Sequence, residues 1–86
     1  DGHDIINNFD AKRDVVYLWN TTDINDVKVA VNAAGDSAAV VFEATGSTLD
    51  INGANIANAT FMVRDGADGY NYYTYDAKNK AFVKKQ

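Results

Sequence analysis

Short apolar stretches rich in Val, Ile, Phe, Tyr and Thr alternate along this chain with clusters of Gly, Asn and Asp. Such stretches, bounded by turn-forming residues, read as strands. They predict strands over 5–9, 15–19, 27–31, 38–43, 48–51, 60–64, 70–75 and 81–84. Period-two alternation backs several of them, because successive side chains of a strand point to opposite faces. Val27, Val29 and Val31 share a face while Lys28 points away; Leu49 and Ile51 oppose Asp50; Phe61 and Val63 oppose Arg64. No window carries a capped helical stripe, and the 52–59 connection has room for one short helical turn at most. Eight short strands at roughly ten-residue spacing predict an all-β domain, mostly antiparallel, built as a β-roll end-cap or a small β-sandwich.

The length of 86 residues sets one domain, 1–86, with one modest core. Hydrophobic residues at 47% place it among globular chains. The net charge of −4, with no dense basic run apart from Lys84 and Lys85, argues against nucleic acid as a partner. Cysteine is absent, which removes disulfides, thiolate metal sites and cysteine nucleophiles together. No apolar run approaches membrane-spanning length. The first residue is Asp, from which we expect a processed product or a piece of a longer protein.

Catalytic chemistry finds little to work with. His3 is the only histidine, and no nucleophile-elbow pattern surrounds Ser37 or Ser47. Glu43 is the lone glutamate, and most aspartates sit in predicted turns, where their carboxylates satisfy backbone amides. Neither GxxxxGK[ST] nor GxGxxG occurs. The expectation is no enzyme. The sequons at Asn20 and Asn58 read as loop chemistry.

Two further features have candidate chemistry. Tyr70 and Tyr72 fall on one face of their strand and Tyr73 and Tyr75 on the other, so one pair packs inward and the other is exposed. With Trp19, the candidate ligand-contact residues are Tyr72, Tyr73 and Tyr75, stacking on sugar rings or a protein partner; cross-strand packing is the structural alternative. The loop Asp65-Gly66-Ala67-Asp68-Gly69 has two carboxylates, Asp65 and Asp68, as candidate cation ligands, and reads equally as an ordinary hairpin loop. One internal echo relates Asp10-Ala11-Lys12 to Asp76-Ala77-Lys78, and it reads as turn chemistry used twice.

The opening Asp1-Gly2-His3-Asp4-Ile5-Ile6-Asn7 fits the last seven positions of the nonapeptide G-G-x-G-x-D-x-U-x. Glycines allow the tight turn, the Asp offers an oxygen to a hard cation, and the apolar residue is buried in a parallel roll. Beyond it, Asp4-x-Ile6-x-x-Phe9, a short turn, then Asp14-x-Val16-x-Leu18 resembles the segment that follows the last calcium repeat of RTX (hemolysin-type calcium-binding) proteins. Val40–Phe42, 46–51 and Gly53-Ala54 are similar in style to the strands after it. The resemblance implies a non-enzymatic capping module of a secreted or cell-surface bacterial protein, with 1–9 as the remnant of a final repeat turn. It implies Asp1 and Asp4 as calcium ligands, calcium as the cofactor, and the upstream repeat domain as the partner. Ile6, Phe9, Val16 and Leu18 would form the seam. One remnant half-site supplies too few oxygens for a complete calcium shell. A cut edge strand would also invite self-association.

Overall fold

The computed structural model describes residues 2–19 and 21–85. Eight strands form in chain order: β1 (His3–Asp10), β2 (Val15–Tyr17), β3 (Val27–Val31), β4 (Ser37–Phe42), β5 (Ser47–Ala54), β6 (Thr60–Asp65), β7 (Gly69–Asp76) and β8 (Ala81–Lys84). They build two four-stranded sheets, one in the order β1-β5-β4-β3 and the other β2-β6-β7-β8. The domain is all-β. Its only helical pieces among the described residues are 3-10 turns at Ile24–Asp26 and Ile56–Asn58, the second within the 52–59 connection.

The architecture is two antiparallel meanders, β3-β4-β5 and β6-β7-β8, joined where the chain passes from one sheet to the other through Ile56–Asn58. Alternation fixes which face of each strand turns inward. In β4 the side chains of Ala38, Val40 and Phe42 are buried while Ala39 and Val41 are not; in β5 Leu49 and Ile51 are buried. From the second sheet come Val16, Phe61 and Val63, and from the connections Leu18, Ile56 and Ala59. Phe82 closes this layer, its ring edge-on to Phe61 at 5.6 Å and to Tyr75 at 5.1 Å.

The first seventeen residues do something the alternation does not announce. β1 pairs with β5 in parallel, His3 opposite Thr48 and Ile6 opposite Ile51, and β2 pairs with β6 in parallel, Val15 opposite Thr60. The segment β1–turn–β2 is therefore a strap. It crosses from one sheet to the other beside the β5–β6 crossing and copies its path. Within β1 the register shifts between Ile6 and Phe9, so that Asn7 and Asn8 together oppose Asn52. Asn8 adopts the left-handed conformation (φ 61°), which Asn tolerates, and this makes a β-bulge. The extra residue turns Phe9 to the same inward face as Ile6, although they stand three apart. Opposite Phe9, Gly53 leaves no space for a side chain: a Cβ there would meet the Phe9 backbone.

Both Asp-Ala-Lys sequences open their turns with the same hydrogen bond. Asp10 Oδ1 accepts from the Lys12 amide at 3.0 Å, and Asp76 Oδ1 from the Lys78 amide at 3.1 Å. The first connects β1 to β2 in the other sheet, whereas the second closes the β7–β8 hairpin. At the second, the Asn79 side-chain amide donates to Asp76 Oδ2 at 2.7 Å and its backbone amide to Oδ1 at 3.2 Å. These donors, the Asn79 side chain foremost, hold the Asp76 carboxyl below the ordinary aspartate pKa. A lowered folded-state pKa contributes stability that is present above the ordinary carboxylate range and lost as pH falls through the lowered value. Carbon-detected NMR titration should therefore give Asp76 a midpoint below that of unstructured Asp, and a midpoint at or above it would refute the turn geometry.

Candidate functional site

His3 ties the strap to its neighbour. Its Nδ1 lies 2.6 Å from Thr48 Oγ1 and its Nε2 3.1 Å from Asp50 Oδ2, on the outer face of the first sheet. Asn52 adds a bond to Asn7 Oδ1 at 3.3 Å. These contacts hold β1 on β5, and the hydroxyl beside the imidazole is that of Thr48.

Of the proposed calcium ligands, Asp1 lies outside the described residues, as does the sequon residue Asn20. Asp4 shares the inward side of β1 with Ile6, opposite Leu49. It is exposed, and it lines one cavity of about 330 Å³ together with Ile6, Tyr17, Trp19, Phe42 and Leu49. In the loop after β6, Arg64 Nε donates to Gly66 O at 3.2 Å and its Nη2 to Ala67 O at 3.3 Å. The carbonyls that would join Asp65 and Asp68 around a cation thus already face a guanidinium. Calcium takes six to eight oxygens, and among the described residues no three His, Cys, Asp or Glu side chains gather to hold a metal. The donor set present does not fit a complete calcium shell.

The aromatic side chains divide as the alternation requires. Tyr73 and Tyr75 turn inward and half-bury against Phe82, with ring centroids 6.3 and 5.1 Å away. Tyr70 and Tyr72 lie on the outer face and are exposed. Tyr17 reaches Tyr70 across the same face, the rings 5.9 Å apart and nearly perpendicular. Trp19, just past β2, is 68% exposed. Sequence reasoning did not single out Tyr17 as a partner of Tyr70, nor the cavity that unites Asp4 with Tyr17 and Trp19. Parallel pairing of β1 and β2 with their neighbours creates it, and no local pattern encodes that pairing.

A second recess of about 510 Å³ opens between β3 and β8, lined by Ile24, Val27, Val29, Tyr75 and Phe82, with Lys28 and Lys80 also on its wall. Within the described residues, no helix is long and apolar enough to cross a membrane. No protein-family model, no curated protein and no solved structure matches this chain.

Proposed function

We propose that this chain is a non-enzymatic capping module that seals the end of a glycine-turn, calcium-repeat β-roll in a secreted or cell-surface protein. The observation that carries the reading is the strap. Its two strands already run parallel and in step beside β5 and β6, which is how successive coils of a roll stack. Ile6, Phe9, Val16 and Leu18 turn inward along it, as the seam requires. Its outer edge is free of partners in both sheets. The edges also differ in character. β3 and β8, at the far side, display Lys28 and Lys84 beside a half-exposed Val83, and charged lysines discourage pairing with another chain. β1 and β2 display Ile5 and Val15, both about half exposed. A preceding coil laid against β1–β2 would cover them, and in its absence the same edge is where two copies would pair. Calcium, in this reading, is held by the preceding coils.

The test joins this chain to the C-terminal end of a run of consensus nonapeptide repeats and follows folding by circular dichroism against calcium. With the module attached, the calcium midpoint should fall severalfold and the product should stay monomeric. Identical midpoints with and without it would refute the reading.

The outward position of Tyr70 and Tyr72 favours a second reading, a binding face for carbohydrate or protein, in which Tyr17 and Trp19 extend the aromatic surface. A glycan array comparing the chain with Tyr72→Ala decides it; a flat signal for both ends that reading.

A further inference from the structure

We propose that the cavity at the mouth of the strap binds an organic ammonium group, the carboxylate of Asp4 supplying charge and the Trp19 indole supplying an aromatic face. This stands apart from the capping role, since the cavity opens where β1 and β5 begin and β2 and β4 end, whereas capping uses the β1–β2 edge.

Three features converge on that ligand class. Asp4 is exposed, makes no ion pair among the described residues, and shares its cavity with apolar and aromatic residues. The floor is Ile6, Phe42 and Leu49, of which Phe42 is 2% and Leu49 8% exposed, so it is apolar and fixed by the core. Trp19 stands in the wall with its indole 68% exposed and open to a ligand, and Tyr17 adds to the wall while its ring packs edge-on against Tyr70 on the outer face. A calcium ion would need oxygens this wall does not offer. A neutral sugar would need a ring of donors and acceptors. An alkylammonium needs what is there: a carboxylate, aromatic faces for its diffuse positive charge, and carbon for its body. The volume of about 330 Å³ suits a trimethylammonium head or the tip of a lysine side chain. The net charge of −4 draws cations towards the surface as a whole.

Trp19 is the only tryptophan, so its fluorescence reports on this cavity alone. The probes are choline and Nα-acetyl-lysine methylamide, with 3,3-dimethylbutanol as the uncharged isostere of choline. At least one cation should give a saturable change, tenfold or more tighter than the isostere, and the stronger of the two identifies a free quaternary ammonium or a protein lysine as the source. Asp4→Asn should weaken binding about tenfold at an unchanged melting temperature. Asp36→Asn, which removes the same charge at the opposite end of β4 from Phe42, should leave it unchanged. Isothermal calorimetry of Trp19→Ala should show a loss of roughly threefold to thirtyfold, the range of a cation–π contact. The proposal fails if neither cation saturates, if the isostere binds as well, if Asp36→Asn weakens binding as much as Asp4→Asn, or if calcium chloride saturates the Trp19 signal more tightly than either cation.

Discussion

Truncating Phe61 to Ala is expected to remove about 3–5 kcal/mol of stability, the range for emptying a buried aromatic site. For a domain of 86 residues that is a large share of a total near 4–13 kcal/mol. The melting temperature should fall by roughly 15–30 °C. Phe61 is 1% exposed and sits on β6 between Val16 of β2 and Tyr73 of β7, facing β5 and β4 across the core. Its ring is also the one on which Phe82 rests edge-on. Removing it therefore leaves a void bounded by strands that cannot all shift inward, because the backbone ladder fixes each of them. The neighbouring outward position supplies the contrast: Tyr72→Ala should cost under about 1 kcal/mol, as exposed substitutions do. Equal losses at the two positions would mean that the faces of the second sheet are assigned wrongly.

Gly53→Ala should be nearly as damaging, although it adds one carbon atom. The new Cβ would lie 2.6 Å from the Phe9 nitrogen and 2.7 Å from its carbonyl carbon, and closer still to the oxygen. These are backbone atoms of a paired strand, not the yielding end of a side chain. Alanine also restricts the unfolded chain, which by itself stabilises by about 0.4–1 kcal/mol. Overpacking at about 3 kcal/mol outweighs that gain. The sign of the change thus depends on whether Phe9 can retreat, and its burial at 5% exposure says that it cannot without opening the core. Urea denaturation should show a lower midpoint, and hydrogen exchange in the variant should quicken first in residues 3–10. A midpoint equal to that of the parent chain would show that the bulged β1–β5 register is not the native one.

Most of the strand pattern was legible because one inward and one outward residue alternate wherever a face is buried. β3 and β8 fall where the alternation places them, and the other strands begin or end within a few residues of expectation. β2 is expected to run to residue 19 but ends at Tyr17. Leu18 still donates its amide to Met62 O at 2.9 Å and is fully buried, so the sequence signal there was packing beyond the ladder. β5 is longer than 48–51, extending to Ala54, because Asn52 and Gly53 pair despite being poor strand formers. Pair direction was not legible. A period-two pattern is the same whether the neighbour runs parallel or antiparallel, and only the spacing of Ile6 and Phe9, three apart yet both inward, hinted at a bulge. Of the candidate sites, the division of the tyrosines into two faces was readable from parity, but which face turns inward was not. That choice is made by Phe82, a partner from the next strand. The 20–26 segment, expected as a turn, contains a 3-10 turn capped by Asp23, whose carboxylate accepts from the Asn25 amide.

The parallel strap also fixes an order of events. His3 and Thr48 are 45 positions apart in the chain, and every other rung between β1 and β5 spans a similar distance. The hairpins of the two meanders close over short loops, and their local contacts form quickly; a contact across 45 residues must wait until the loop it closes has lost its freedom. On a ribosome the strap is synthesised before β5 and β6, and its parallel rungs cannot form until those strands have followed it out. Within this domain the segment made before its partners is the last to find its place, and until then β5 and β6 each present an open edge to whatever lies nearby.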